Sequence, residues 1–199
     1  MRLYVPATLD ELDTVEVDGR SARWDLGPRR AHAVTPRLVS APENEDEDDE
    51  GLEFVAALEA ADDSLALVVA RGTAPRQRLV VTVEVPDDAV SSAAPGPGDG
   101  PDAIAPSAVD VNREVAGATV VCVHADEVEA ALDIEAVLSA VDASIAGGTG
   151  AGADTEPGAA ESAPEAEQDA VDVAIERVTD RSMLWYDWTE IPEVPRAAR

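Results

Sequence analysis

Apolar positions along the chain repeat with two periods, and one period gives way to the other at proline, glycine or a run of acid. Leu3 and Val5 open a short strand at 3–5 that Pro6 closes. Thr8-Leu9-Asp10-Glu11 then has the spacing of a capping box: the threonine hydroxyl takes a free N–H of the first helical turn and the glutamate reaches back. Leu9 and Leu12 give this helix its apolar side, and Gly19 stops it. Ala31 and Ala33 alternate with His32 and Val34, a short strand ended by Pro36. Phe54, Leu58, Ala61, Leu65 and Val68 share one helical face, which predicts a helix over 52–71 ending at Gly72.

Beyond it, Leu79, Val81, Val83 and Val85 alternate with Arg78, Val80, Thr82 and Glu84, a strand with one wetter face, ended by Pro86. Residues 119–123 are apolar apart from Thr119 and predict a central strand covered on both faces, with His124 at its exit. Asp126 and Glu129 are placed to cap the next helix. Val128 and Leu132 follow one helical phase and Ile134, Leu138, Val141 and Ile145 another, which predicts a kink or two short helices meeting near Asp133. Val171, Val173 and Ile175 alternate as a strand, with a helix over 169–180 as the competing reading. A turn at 179–182 then leads into a last strand at 183–189.

Two stretches have no period. Residues 91–108 are Ser, Ala, Pro and Gly and read as a flexible loop, and 147–168 read as a disordered low-complexity linker. Interleaved strands and helices predict an α/β fold: a single mixed β-sheet of about five or six strands covered by helices, with two disordered insertions. The expected organisation is one domain over 1–193, followed by a tail at 194–199.

Charge changes this picture more than any other property. There are 42 acids against 14 basic residues, a net charge of −28, and every cation is arginine. Such a surface repels nucleic-acid phosphates and anionic lipid, so neither nucleic acid nor membrane is expected as a partner. Without lysine, Schiff-base chemistry and the phosphate-binding P-loop are excluded by their standard routes. A single cysteine, Cys122, makes an internal disulfide impossible, and no apolar run approaches a membrane span, so a cytoplasmic protein is expected. The acid is uneven: residues 43–50 are nearly solid carboxylate, while 20–37 hold Arg20, Arg23, Arg29, Arg30 and Arg37 against Asp25 alone.

Several motifs fail on context. Gly148-Thr149-Gly150-Ala151-Gly152-Ala153 spells a dinucleotide fingerprint, but a helix precedes it where a strand is required. Asp46, Asp48, Glu50 and Gly51 imitate the start of a calcium loop, but its twelfth position is Ala57 and not a bidentate glutamate. No cofactor and no metal is therefore expected.

Three constellations remain. Cys122, His124 and Asp126 form a His-x-Asp arrangement at the carboxyl end of a strand, with a core cysteine, an edge histidine and a capping aspartate as the plainer reading. Arg29, Arg30 and His32 offer guanidinium forks for a carboxylate or phosphate, unless they are spent on internal acids. Trp185, Tyr186 and Trp188 either close the core or anchor a partner, with Tyr186 and Trp188 on one strand face and Trp185 on the other.

The segments Met1-Arg2-Leu3-Tyr4-Val5-Pro6-Ala7-Thr8-Leu9, Pro28-Arg29-Arg30-Ala31-His32-Ala33-Val34-Thr35-Pro36, the helix from Leu52, Val85-Pro86-Asp87 and Leu184-Trp185-Tyr186 resemble a family of small actinobacterial proteins of unknown function. The chain departs from that pattern in its 91–108 and 147–168 segments and its long acid run. The resemblance implies a cytoplasmic protein from a GC-rich actinobacterium and carries over no activity.

The leading expectation is a non-enzymatic binding or regulatory protein. In it Arg29, Arg30 and His32, with Trp185 and Tyr186, meet a protein partner or a small anionic ligand. The alternative is a small enzyme acting on an anionic metabolite, with His124 as general acid/base, Asp126 orienting it and the arginines clamping substrate. Convergence of 29–36, 124–126 and 184–188 on one cleft would favour ligand chemistry, and dispersion would favour a scaffold.

Overall fold

The structure, a computed structural model, describes residues 1–93, 104–148 and 163–197. Nine strands form among them: β1 (Arg2–Thr8), β2 (Glu16–Val17), β3 (Ala22–Leu26), β4 (Arg29–His32), β5 (Arg78–Glu84), β6 (Val90–Ser92), β7 (Ala108–Val111), β8 (Val115–Ala125) and β9 (Leu184–Asp187). They form one sheet in the order β2-β3-β8-β5-β1-β4-β7-β6, with β9 also paired to β8. β3 takes the first half of β8, from Val115 to Val120, and β9 takes the second, from Cys122 to Ala125.

The sheet is larger than the expected five or six strands, and it is antiparallel in every pairing and not mixed. The difference lies in short strands. β3 buries Ala22, Trp24 and Leu26 and turns Arg23 and Asp25 outward, a clean alternation hidden inside the arginine-rich stretch. β6 and β7 pair with each other at the two ends of the stretch read as a loop over 91–108. Residues 94–103 of that stretch lie outside the described residues.

Pro6 does not end β1. It pairs with Val80 of β5, and its carbonyl, on the opposite side of the strand, accepts a hydrogen bond from Arg29 Nη2 at 2.7 Å. The missing proline N–H faces that same side, where the β4 pairing through Tyr4 and His32 has lapsed, so no ladder bond is lost.

The sheet curls strongly. Only Gly27 and Pro28 separate β3 from β4, yet those strands stand four places apart in the sheet. Four strand spacings on a flat sheet are roughly 19 Å, whereas three peptide units reach about 11 Å. The inner face carries the main core, including Leu3, Val5, Leu79, Val81, Val83, Val120 and Val123. Leu9 and Leu12 from the 3-10 turn Leu9–Thr14 and Ile191 from the turn Trp188–Glu193 join it. The capping-box contact at 8–11 forms: Thr8 N–H donates to the Glu11 carboxylate at 2.9 Å.

The outer face is covered by helices. α1 (Pro36–Val39) is one turn, and α2 (Asp49–Ala70), α3 (Ala131–Gly148) and α4 (Ala163–Thr179) are long. α4 replaces the strand read from Val171, Val173 and Ile175: Val171, Ala174 and Val178 are buried at helical spacing while Val173 and Ile175 are exposed. The phase change near Asp133 is not a kink in a helix. A 3-10 turn, Val128–Ala130, precedes a continuous α3. Residues 149–153 of the glycine run and 149–162 of the linker read over 147–168 lie outside the described residues, while 163–168 of that linker are the first turns of α4. Among the described residues no helix is long and apolar enough to cross a membrane.

A buried ion pair ties the elements together. Arg78, at the start of β5, is 2% exposed and Asp126, just past β8, is 0% exposed. The Asp126 carboxylate accepts from Arg78 Nε at 3.0 Å, Nη2 at 2.8 Å and the Arg78 backbone N–H at 2.8 Å. Arg78 Nη2 also donates to the carbonyl of Arg181 at 3.0 Å, in the turn before β9. Gln77 donates to the carbonyls of Asp126 at 2.8 Å and Pro195 at 3.0 Å, and accepts from Ala197 N–H at 2.7 Å. Residues 194–197, read as tail, are thus fastened to the sheet.

Removing one partner of a buried pair leaves the other charge uncompensated. Asp126→Ala is therefore expected to lower unfolding free energy by about 3–5 kcal/mol. Urea denaturation measures this, and a loss below about 1 kcal/mol, the size of a surface pair, would contradict it.

Candidate functional site

Small side chains set where α2 lies. Ala56, Ala60 and Ser64, spaced one turn apart, are fully buried against the sheet. The Ser64 hydroxyl donates to the Ala7 carbonyl at 2.8 Å and accepts from Leu79 N–H at 2.8 Å, fastening the helix to β1 and β5 together. This close seat rotates Phe54 and Leu58 off the sheet. They are 64% and 47% exposed, although the sequence pattern placed them on the buried face. Farther along, Leu65 and Val68 pack against Ile134 and Val137 of α3 and Ala174 and Val178 of α4. The α3–α4 pair thus covers the C-terminal half of α2, while beside the N-terminal half the β8–β9 part of the sheet stays open.

A bulge decides what that open face displays. Thr82 pairs with Cys122 but Val83 pairs with Val120, so Val121 is an extra residue in β8. Val120 and Val123 both belong to the inner core, whereas Cys122 and His124 turn to the outer face. Bulges re-aim side chains in this way beside functional sites. Register then aligns Tyr4, Thr82, Cys122 and Asp187 in one row across four strands, with His124 and Trp185 adjacent in the next.

The result is a groove between α2 and β8–β9. One part, a cavity of about 400 Å³, is lined by Tyr4, Glu53, Phe54, Thr82, His124 and Trp185 among others. A second part, about 320 Å³, shares Phe54, Ala57 and His124 and adds Leu58, Arg78 and Met183. Trp185 is 58% exposed on its rim.

Two polar atoms in its walls are buried without a hydrogen-bond partner among the described residues: Thr82 Oγ1 and His124 Nδ1. Burial pushes the His124 imidazole below its ordinary 6.5, so the ring is neutral at pH 7. Burial and the neighbouring Glu53 carboxylate push the Tyr4 phenol up, so it stays protonated. Donors from Thr189 hold Asp187 below the usual carboxylate range.

The other sequence-derived candidates lie elsewhere. Arg29 pairs with Glu11 at 2.7 Å and stacks over Trp24 at 5.4 Å, and Arg30 pairs with Asp110 at 2.9 Å. Both arginines line a separate pocket on the opposite flank of α2, beside Asp63 and Leu67. Asp126 is held by Arg78 and does not orient His124. Tyr186 and Trp188 pack against the inner core, on the face opposite Trp185. His32 and His124 sit on strands three places apart. Segments 124–126 and 184–188 therefore meet through His124 and Trp185, and 29–36 does not join them.

His32 is instead the centre of a buried polar cluster and is 1% exposed. Its Nε2 contacts Asp63 Oδ2 at 3.0 Å and its Nδ1 contacts Ser107 Oγ at 2.6 Å. The Ser107 hydroxyl donates to Glu59, whose carboxylate also accepts Ser107 N–H at 3.1 Å. With that proton spent on Glu59, Ser107 Oγ accepts from His32, so both ring nitrogens donate and the imidazole is charged. Ser107 is fully buried, which suits a pin between α2, β4 and β7 and not a nucleophile.

Sequence reasoning missed Tyr4, Phe54, Thr82 and Asp187. A signal existed for two of them: Phe54 is the lone phenylalanine, and Thr82 lies on the wetter face of β5.

The model of a family of unknown function, DUF6912, matches residues 1–194, and the chain belongs to that family. No curated protein and no solved structure matches it.

The His32 cluster makes stability depend on pH. Burial alone pushes the imidazole down, but Asp63 and Glu59 outweigh it and raise the value above 6.5. Burial pushes Glu59 up, but His32 and Ser107 outweigh it and lower the value below 4.5. The His32 contribution is full below 6.5 and is lost as pH rises through the raised folded value. The Glu59 contribution is full above 4.5 and is lost as pH falls through the lowered one. His32→Gln is expected to cost about 1–3 kcal/mol near pH 6, and the gap to wild type should narrow towards about pH 9. Denaturation across that range measures it: a gap that does not change with pH would mean that folding leaves the His32 pKa at its ordinary 6.5, and a gap that widens with rising pH would mean an uncharged His32.

Proposed function

We propose that this DUF6912 protein is a non-enzymatic binding protein for a small ligand, and that the ligand sits in the groove between α2 and β8–β9. One observation carries this reading: Thr82 Oγ1 and His124 Nδ1 are both buried and, among the described residues, unpaired in the walls of that groove. Folded proteins seldom leave buried polar groups without partners, and each such group costs about 1–3 kcal/mol. Two of them lining one concavity mark a place where a ligand supplies the missing partners. Phe54 and Trp185 add exposed rings, and cavities of about 400 and 320 Å³ are of small-molecule size.

The non-enzymatic reading rests on the absence of a relay. Asp126 is committed to Arg78, and His124 Nδ1 has no orienting partner among the described residues. A small enzyme using His124 as general base is the second reading, favoured by the lowered pKa of an imidazole in a groove.

Thr82→Val keeps the shape of the side chain and removes the unpaired hydroxyl. It is expected to stabilise the protein by about 1 kcal/mol while weakening ligand binding. Thermal melting reads the first effect. Protein-observed NMR with a library of small aromatic fragments reads the second, as shifts at Thr82, His124 and Trp185 that shrink in the variant. Fragments that gather at another surface, or a destabilised Thr82→Val, would overturn the assignment.

A further inference from the structure

We infer that the groove selects an organic cation, an ammonium carried on a flat apolar body. The inference rests on the ligand-binding reading above and adds the class of ligand.

Charge decides the sign. Each guanidinium lining the groove already has an acid: Arg2 with Glu53 at 3.1 Å, Arg78 with Asp126 at 2.8 Å and Arg181 with Asp133 at 2.6 Å. Glu50, Asp180 and Asp187 also line it, and among the described residues none of them is in an ion pair. The lining therefore carries uncompensated negative charge, in a protein whose net charge of −28 draws cations towards it.

The buried atoms agree with that sign. A hydroxyl oxygen and a neutral imidazole nitrogen can both accept hydrogen bonds, and an ammonium offers three donors. Thr82 is 2% exposed and lines the groove with its hydroxyl unpaired, which makes this more than a cluster of surface acids. The exposed rings of Phe54 and Trp185 supply apolar contact and electron-rich faces for a positive charge. Among the described residues an anion has one opening: Arg78 Nη1 makes no hydrogen bond there, although Asp126 neutralises the charge of that side chain.

A matched pair of probes separates the two signs. Tryptamine and indole-3-acetate share one ring system and differ in charge, and ligands of this size bind in the millimolar range, so titration to about 10 mM suffices. The expected result in protein-observed NMR is saturable shifts at Thr82, His124 and Trp185 with tryptamine, weaker at high salt, and none with indole-3-acetate. The double variant Glu50→Gln with Asp187→Asn, which keeps the Asp187 turn cap, should weaken tryptamine roughly fivefold. If indole-3-acetate shifts the same residues as strongly, the cation assignment is wrong and the groove stands as a ligand site. If neither probe moves them while neutral fragments do, the charge selection again fails alone. If no compound of any charge moves them, the binding reading falls with it.

Discussion

The buried contact between Arg78 and Asp126 is the constraint around which the rest of the chain is arranged. It joins the first residue of β5 to the residue after β8, and through Arg181 it fixes the turn from which β9 sets out. Gln77, next to it, fastens residues 195–197 onto the same point. Four segments far apart in sequence thus meet at one buried polar cluster, and the groups that accept from Arg78 and Gln77 come from three places in the chain, Asp126, Arg181 and Pro195. Such a cluster stabilises less than an apolar core of equal volume, but it specifies register, because a one-residue slip of β5 or β8 would strand a buried charge. It also removes Asp126 from any role at His124, two residues earlier. The fold and the site draw on the same stretch of β8, and the fold takes the carboxylate.

What remains at His124 follows from two further choices of residue. Val121 is one residue too many for β8. Were Val121 kept in regular register with no bulge, Cys122 and His124 would continue the phase of Val120 into the inner core, and Val123 and Ala125 would face α2. The stripe of Ala56, Ala60 and Ser64 lets α2 sit close to β1 and β5, and that closeness leaves Phe54 and Leu58 with no sheet to cover. An extra residue in a strand and a run of small residues in a helix together create an open apolar groove with polar atoms in its walls.

Much of the frame was legible in the sequence. Periods of two and of about 3.6 located β1, β5 and α2, and a continuous apolar run located the middle of β8. α4 was harder: Val171, Val173 and Ile175 alternate, and only packing against α3 reveals that Val171, Ala174 and Val178 are the buried set. The groove was half legible. His124 and Trp185 drew notice as chemistry and as an aromatic, but the row Tyr4–Thr82–Cys122–Asp187 exists only through strand register. Phe54 was misread for a physical reason: helical periodicity finds an apolar face but not which arc of it the neighbours cover.

The acidity takes a different meaning once the arginines are placed. Arg2, Arg29, Arg30, Arg71, Arg76, Arg78, Arg113, Arg181 and Arg196 all sit in ion pairs within the chain. Arg23 and Arg37 donate to backbone carbonyls of Gly117 and Ile104. The arginine-rich stretch at 20–37 is therefore largely internal fastening, and it leaves few guanidinium groups open to an anion. With the cations spent on holding strands and helices together, the surplus of carboxylate is what the surface and the groove present. A concave site in such a molecule inherits negative charge unless cations are reserved for it, and the three arginines that line this groove are all paired. The preference for a positive ligand thus originates in how the chain spends its arginines on folding.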